Sequence, residues 1–368
     1  MSAPRVLIAA GGTGGHIFPA LAVAQELKRR GWHAEWVGSD RGLESRLIPG
    51  YGIGLHILRF AGLRGKGLGA WLTLPSRLVR AMRDTLGILI RARPEVVLAF
   101  GGYVTFPVGL VARLRRIPLC IHEQNAVMGT ANRWLAKIAR QVFISFPATR
   151  YAPARSMLVG NPIRKSISGL APPANRLSGR AGPIRVLVVG GSLGAQALNQ
   201  RCPALLAKAI ERGQSFEIRH QTGQQDHGAV EQLYRALKIP ARCEVFIDDM
   251  EMAYQWADLL ICRAGASTVT EVAAAGIAAI FVPLPSAIDD HQTANASSLA
   301  ESGAAWLIPQ TELGKSRTVS LLVSLTRDAL TDRAGKARSL CIPNATERVA
   351  DCVTTLARPI GSTGGVCP

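Results

Sequence analysis

Continuous apolar runs alternate with stretches of helical period along this chain of 368 residues. The first run, Val6–Ala10, ends at "GGTGGH" (11–16), and a helical pattern follows from Ala20 to Arg30, where Gly31 stops it. An uninterrupted apolar run is what a strand buried on both faces of a parallel sheet requires. Further strands, alternating with helical stretches, are expected at 33–38, 95–100, 117–121 and 141–145, and again at 215–220, 258–262 and 278–282. Strands alternating with helices imply doubly wound α/β sheets.

The opening pattern has an echo. "RVLIAAGGTGGH" (5–16) is matched by "RVLVVGGSLGAQ" (185–196), and each sets a glycine turn with a hydroxyl residue, Thr13 or Ser192, between strand and helix. The second helix is expected over Gly194–Glu211, stopped by Gly213. Residues 160–183, with Pro162, Pro172, Pro173 and Pro183, read as a linker. The expected fold class is therefore α/β: two Rossmann-like domains of doubly wound parallel sheet facing across a cleft, residues 1–162 and 163–340. Ligands would sit at the carboxyl ends of the sheets. A final helical pattern, Ala345–Leu356, precedes a tail at 358–368.

Charge changes this picture. The balance of 43 basic and 25 acidic residues, net +18, implies an anionic partner: nucleic acid, an acidic membrane leaflet or a phosphorylated substrate. Much of the surplus lies in residues 54–93, where eight Lys and Arg face one acid, Asp84. There a glycine loop runs into an amphipathic helix with Leu74, Leu78, Met82 and Leu86 on one face and Arg77, Arg80 and Arg83 beside it, preceded by Trp71. That pattern suits an anionic membrane surface, or an apolar stripe packed on a sheet with solvated arginines. Nucleic acid is disfavoured by an aromatic content of 5% and the lack of a recognition motif. The uncharged runs 96–112 and 272–288 are too short, and too broken by Gly and Pro, to span a bilayer. Seven scattered cysteines with no CxxC, and no secretory signal before Gly11, suggest free thiols in a reducing cytosol.

The glycine turns fail the dinucleotide fingerprint: Ile17 stands where a third glycine belongs, although Asp40 could serve a ribose. Doubled glycines still admit close backbone approach to an anion or sugar at a helix N-terminus. His16 is either a proton acceptor there or a ring closing the first turn. A second phosphate candidate, Arg263–Glu271, follows the strand "ADLLIC": Ser267 and Thr268 offer hydroxyls to a pyrophosphate and Glu271 a carboxylate to ribose. An Ala-rich buried helix would read the same way. The acid pairs Asp248-Asp249 and Asp289-Asp290 lack metal-clamping spacing and read as helix caps, so no metal cofactor is expected.

Nine motifs in order carry a resemblance over residues 5 to about 355. They are "GGTGGH" (11–16), "GLRGKG" (62–67), "GGYVTFPV" (101–108), "HEQN" (122–125), "GNPIR" (160–164), "GGSLGAQ" (190–196), "FIDDM" (246–250), "CRAGASTVTE" (262–271) and "DDHQTANA" (289–296). With them the chain resembles the MurG family of bacterial GT-B glycosyltransferases, which add N-acetylglucosamine to lipid I. The resemblance implies that UDP-N-acetylglucosamine lies mostly on the second domain, against Arg164, Ser192, Ile247, Ala266, Ser267, Thr268, Val269, Thr270, Glu271 and Gln292. Ile247 would meet uracil through its backbone, Glu271 the ribose and Gln292 the sugar hydroxyls. From the first domain Thr13, Gly14, Gly15, His16 and Asn125 would close over sugar and diphosphate, with Tyr103 on the acceptor or membrane side. Residues 341–368 would return to the first domain.

The resemblance implies attack of the acceptor C4 hydroxyl on C1 with inversion. His16 is the first candidate for its base and Glu123 the second. Peripheral attachment to the cytoplasmic face of the inner membrane follows from the acceptor's polyprenyl tail. A different lipid glycosyltransferase of the same fold and a nucleotide-binding module without turnover are the competing readings.

Overall fold

The computed structural model describes residues 3–40, 42–60, 73–191 and 194–357. The chain divides into two compact units: the residues up to Ile163 with those from Ile342 onward, and Arg164–Cys341.

Unit 1 is built on β1 (Arg5–Ala10), α1 (Gly14–Arg29), β2 (His33–Gly38), β3 (Gly54–Ile57), α2 (Leu74–Ala92), β4 (Val96–Gly101), α3 (Thr105–Leu114), β5 (Leu119–Glu123), α4 (Thr130–Ala136), β6 (Gln141–Ile144) and β7 (Met157–Leu158). Its strands pair in parallel in the order β3-β2-β1-β4-β5-β6-β7. Unit 2 contains β8 (Ile184–Val189), α5 (Gln196–Glu211), β9 (Phe216–Gln221), α6 (His227–Ala236), β10 (Ala241–Glu244), α7 (Met250–Trp256), β11 (Leu259–Cys262), α8 (Ala266–Ala275), β12 (Ala278–Phe281), α9 (His291–Ala300), β13 (Ala305–Leu307), α10 (Ser316–Val323) and α11 (Arg327–Ser339). The same winding recurs there, β10-β9-β8-β11-β12-β13, again all parallel. Four strands were not expected from the sequence: β3, β7 and β10, which carry no long apolar run, and β13, which lies within the apolar run 304–308. They are the edges of the two sheets, where one flank is open and half-exposed polar residues are tolerated.

The unit 1 sheet is covered on both faces. One layer joins Val6, Ile8 and Leu98 to Ile17 and Leu21 of α1, the other joins Leu7 and Val97 to Ile88 of α2 and Val108 of α3. The last helix, α12 (Ala345–Ala357), packs beside α1 and contributes Val349, Ala350 and Val353 to the first layer. Each buried valine there is worth about 2 kcal/mol by the area it removes from water. Among the described cysteines, 120, 202, 243, 262 and 341 are free thiols, whereas Cys352 is disulfide-bonded, so the expectation of free thiols throughout fails at that position.

In each unit the strand order reverses at the first strand, between β1 and β4 and between β8 and β11, where loops diverge and leave a crevice at the strand ends. In unit 1 the β1–β4 register shifts between Ala9 and Ala10, so Ala10 faces Gly101. Gly101 and Gly102 then adopt φ of +113° and +91°, and a Cβ on Gly102 would stand 2.4 Å from the Gly11 carbonyl oxygen. Only glycine allows that approach.

α1 starts earlier than its apolar pattern suggests, at Gly14 rather than Ala20. Thr13 is its extended N-cap residue, and the Thr13 carbonyl accepts from the His16 and Ile17 amides. Glycines and Pro19 concealed the first turn, which is why the periodicity begins late. His16 thus stands in the first turn of the helix itself.

Candidate active site

At the unit 1 crevice the His16 imidazole lies directly on Gly101: a Cβ there would meet Cε1 and Nδ1 at 2.9 Å. His16 Nδ1 is 2.8 Å from Gln124 Oε1, and Nε2 has no hydrogen-bond partner among the described residues. Gln124, fully buried at the end of β5, donates from Nε2 to the His122 carbonyl and faces His122 Nδ1, both at 3.0 Å. His122 Nε2 reaches the Gly160 carbonyl at 3.0 Å, and its ring stacks on Phe100. Burial pushes the His122 imidazole down to about 4, the Gly160 hydrogen bond opposing that shift.

Glu123 points elsewhere. Oε1 accepts from the Asn125 amide and side chain, and Oε2 from Gly129 N and Asn132 Nδ2. With its carboxylate 2% exposed and occupied by four donors, this second candidate for the base is a loop anchor that also sets the position of Asn125. The glycine turn has a prop that the sequence did not reveal. Glu44, fully buried, accepts from Gly12 N at 3.3 Å and from Ser39 N at 2.8 Å. Its carboxylate fills the space that side chains at Gly11 and Gly42 would need. Thr13 makes no capping hydrogen bond with its hydroxyl, and Tyr103 is exposed just after Gly102.

Unit 2 has a different prop at the corresponding turn. Gln221, buried at the end of β9, donates to the Gly191 carbonyl at 2.9 Å and accepts from Ile247 N at 3.0 Å. It ties the second glycine turn to the backbone expected to read uracil, and no local motif marked it. Ser192 lies outside the described residues. Next to Gln221 a buried network runs from Tyr234 through His220 to Asn199, whose amide donates to Thr222 O and Asp226. Burial pushes the His220 imidazole down to about 4.

α8 begins at Ala266 after an extended Gly265. The Ser267 hydroxyl in its first turn is buried without a partner, an orphan polar group at the positive end of a helix. Val269, by contrast, has its side chain in the core and its amide bound to Gly265 O, and the Thr270 hydroxyl donates to Ala266 O. These two belong to the helix interior rather than to its open first turn. Glu271, one turn on, accepts from the Tyr254 hydroxyl at 2.9 Å and from Arg164 at 3.4 Å. Burial raises its carboxyl above the ordinary value, while Arg164 and Tyr254 draw it back. Arg263, the first residue of the segment, is committed to the Val282 and Pro283 carbonyls and to Gln310.

Gln292 Oε1 accepts from Leu284 N at 2.9 Å, pinning the loop before α9. Of the acid pairs, Asp249 caps α7 as expected by accepting from Met252 N. Asp290 does not cap α9 in that way: its backbone is left-handed and its carboxylate takes the Thr293 hydroxyl.

The basic helix α2 buries Ala81, Thr85, Ile88 and Leu89, so the stripe read from its sequence is a half-buried flank. Outward it exposes Val79, Leu86 and Ile90 among Arg80 and Arg83, with Arg77 partly covered. α3 packs beside it and ends in exposed Arg113, Leu114, Arg115 and Arg116, and α4, packed on α3, exposes Trp134. Trp71 and the loop 62–67 lie outside the described residues. No helix among the described residues is long and apolar enough to cross a membrane.

Two Rossmann-like sheets, each with a glycine turn at its switch point, are the architecture of the GT-B fold, and the family matches make this chain a glycosyltransferase of that fold. Residues 6–144 match the glycosyltransferase family 28 N-terminal domain and residues 185–355 the glycosyltransferase family 28 C-terminal domain, and the chain belongs to this family. It is 52% identical to the UDP-N-acetylglucosamine--N-acetylmuramyl-(pentapeptide) pyrophosphoryl-undecaprenol N-acetylglucosamine transferase of Bordetella parapertussis, over 97% of this chain and 99% of that one. The crystal structure of Acinetobacter baumannii MurG superposes with a TM-score of 0.83 at 41% identity, covering 95% of this chain and 99% of that chain. The glycosyltransferase of kitacinnamycin shares the fold alone, with a TM-score of 0.72 at 16% identity over 97% of this chain and 100% of that chain.

Replacing Gly101 with Ala should displace the His16 ring and lower kcat about tenfold to a hundredfold while leaving the donor KM within about twofold. Steady-state kinetics check this, and an unchanged kcat would contradict the packing of His16 on Gly101. His122 and His220 also predict a pH dependence of stability. Each stays neutral in the folded chain down to about pH 4, whereas the unfolded chain takes the proton near the ordinary value of 6.5. Stability is therefore complete above about 6.5 and lost as pH falls toward 4, on the order of 2 kcal/mol per histidine by pH 5. A urea midpoint that does not move between pH 7 and pH 5 would refute neutral burial.

Proposed function

We propose that this chain is an inverting transferase that moves N-acetylglucosamine from UDP-N-acetylglucosamine to the C4 hydroxyl of the muramyl unit of lipid I, giving lipid II and UDP in peptidoglycan synthesis. The names of relatives matched over nearly their whole length support the donor, the acceptor and the group transferred. The single observation that carries the donor side is the orphan Ser267 hydroxyl at the start of α8, with Glu271 one turn beyond. A pyrophosphate supplies acceptors for that hydroxyl and for the first-turn amides, and its charge meets the positive end of the helix. Glu271, oriented by Tyr254 and Arg164, takes the ribose hydroxyls, and Ile247 takes uracil through its backbone.

His16 is the base. Its Nε2 accepts the proton of the acceptor hydroxyl as the oxygen attacks C1, the bond from C1 to the UDP oxygen breaks, and the anomeric centre inverts. The departing diphosphate keeps its negative charge and is stabilised by the α8 N-terminus, without a metal. Support for the metal-free reading is that Asp249 is engaged as a cap and Asp290 with Thr293.

The acceptor carries a polyprenyl tail held in a bilayer, so the enzyme works at the membrane surface, peripherally, on the cytoplasmic face of the plasma membrane. The outward apolar residues of α2, α3 and α4, set among arginines, suit an anionic leaflet.

UDP release from UDP-N-acetylglucosamine in the presence of a lipid I analogue tests the reaction. It should need both substrates and keep at least about half its rate in excess EDTA, whereas a tenfold loss would refute a metal-free leaving group. Vesicles containing anionic lipid should sediment the protein, and replacing Arg77, Arg80 and Arg83 with Glu should abolish this. Equal binding by that variant would remove α2 from the docking surface.

A further inference from the structure

A histidine accepts a proton only at the ring nitrogen that carries none, and the groups behind His16 decide which one that is. The deciding contact lies one residue away from the ring. Gln124 Nε2 is 3.0 Å from the His122 carbonyl oxygen, which can only accept. With the amide turned the other way, Gln124 Oε1 would face that carbonyl, leaving two acceptors in contact and no proton between them. The amide orientation is therefore fixed, with Nε2 toward His122 and Oε1 toward His16. The two Nε2 hydrogens go to His122 O and His122 Nδ1, both at 3.0 Å. His122 then bears its own proton on Nε2 and donates to Gly160 O. Gly160 is itself held, since its φ is +84° and a Cβ there would meet Ile342 at 2.9 Å. Every donor and acceptor from Gly160 to Gln124 has one assignment, and Gln124 Oε1 is left to accept from His16 Nδ1.

We propose that Gln124 is a positioning residue that holds His16 in the Nδ1–H form and so presents the Nε2 lone pair to the acceptor hydroxyl. This rests on the reading of His16 as the base. Gln124, 1% exposed, is buried behind the ring and acts through it. The free imidazole side chain favours the opposite form, with its proton on Nε2, so loss of Gln124 removes both the tautomer and the orientation.

The test reads the tautomer directly. Long-range 1H–15N correlation spectra of the full chain labelled with 15N-histidine resolve seven rings, and loss of one ring in His16→Ala assigns it. Neutral His16 should show its proton on Nδ1, and a proton on Nε2 overturns the proposal whatever the kinetics. In Gln124→Met, kcat should fall at least about tenfold with the UDP-N-acetylglucosamine KM within about twofold. A kcat within twofold of the parent, while His16→Ala is inactive, also overturns it. If His16→Ala instead keeps its rate, the assignment of the base fails, and the spectrum still decides the tautomer separately.

Discussion

Backbone contact at the switch point of unit 1 is the constraint on which its site depends. β1 and β4 can diverge there only because the register slips at Ala10, and the slip brings Gly102 against the Gly11 carbonyl. With no side chain at Gly101 or Gly102, the His16 ring settles on Gly101 and reaches back to Gln124. A bulge, two positive-φ residues and a helix that begins inside its own glycine turn thus act together. Glu44 closes the arrangement from the far side, its carboxylate occupying the volume that the glycines of two segments leave open.

Unit 2 solves the same topological problem with other chemistry. A neutral amide, Gln221, takes the place of a carboxylate and spans from the glycine turn to Ile247. Both props lie far in sequence from the turns they hold. Both are invisible to any local motif.

What could be read from the sequence was whatever repeats with a period or sits in a short motif. The innermost strands β1, β4, β8, β11 and β12 were legible because burial on both faces leaves a continuous apolar run, and the edge strands β3 and β10 were not, because their open flanks admit His56, Arg242 and Glu244. The two glycine turns and the helix after Cys262 were found by their spacing and their resemblance. Which side chains within them face outward was not legible. Val269 and Thr270 fall in the interior of α8 because the helix starts at Ala266, a single-residue matter of phase. Glu123 in "HEQN" was the second candidate for the base, yet its oxygens are occupied by Asn125 and Gly129 of the following loop and Asn132 of α4, which only the folded backbone brings together. On α2 the exposed Val79 and Ile90 were masked by the stronger pattern beside them, of which Leu86 is the exposed end.

The amide between His16 and His122 has one more effect. A carboxamide neither gains nor loses a proton in neutral water, so the row of contacts from His16 to Gly160 conducts orientation but not protons. It is an insulator. In the proposed mechanism a proton accepted at His16 has no exit through this row and leaves by the nitrogen at which it arrived, once that face is vacated. Recharging of the proposed base is thereby tied to departure of the product, and the buried histidine behind it stays outside the proton traffic.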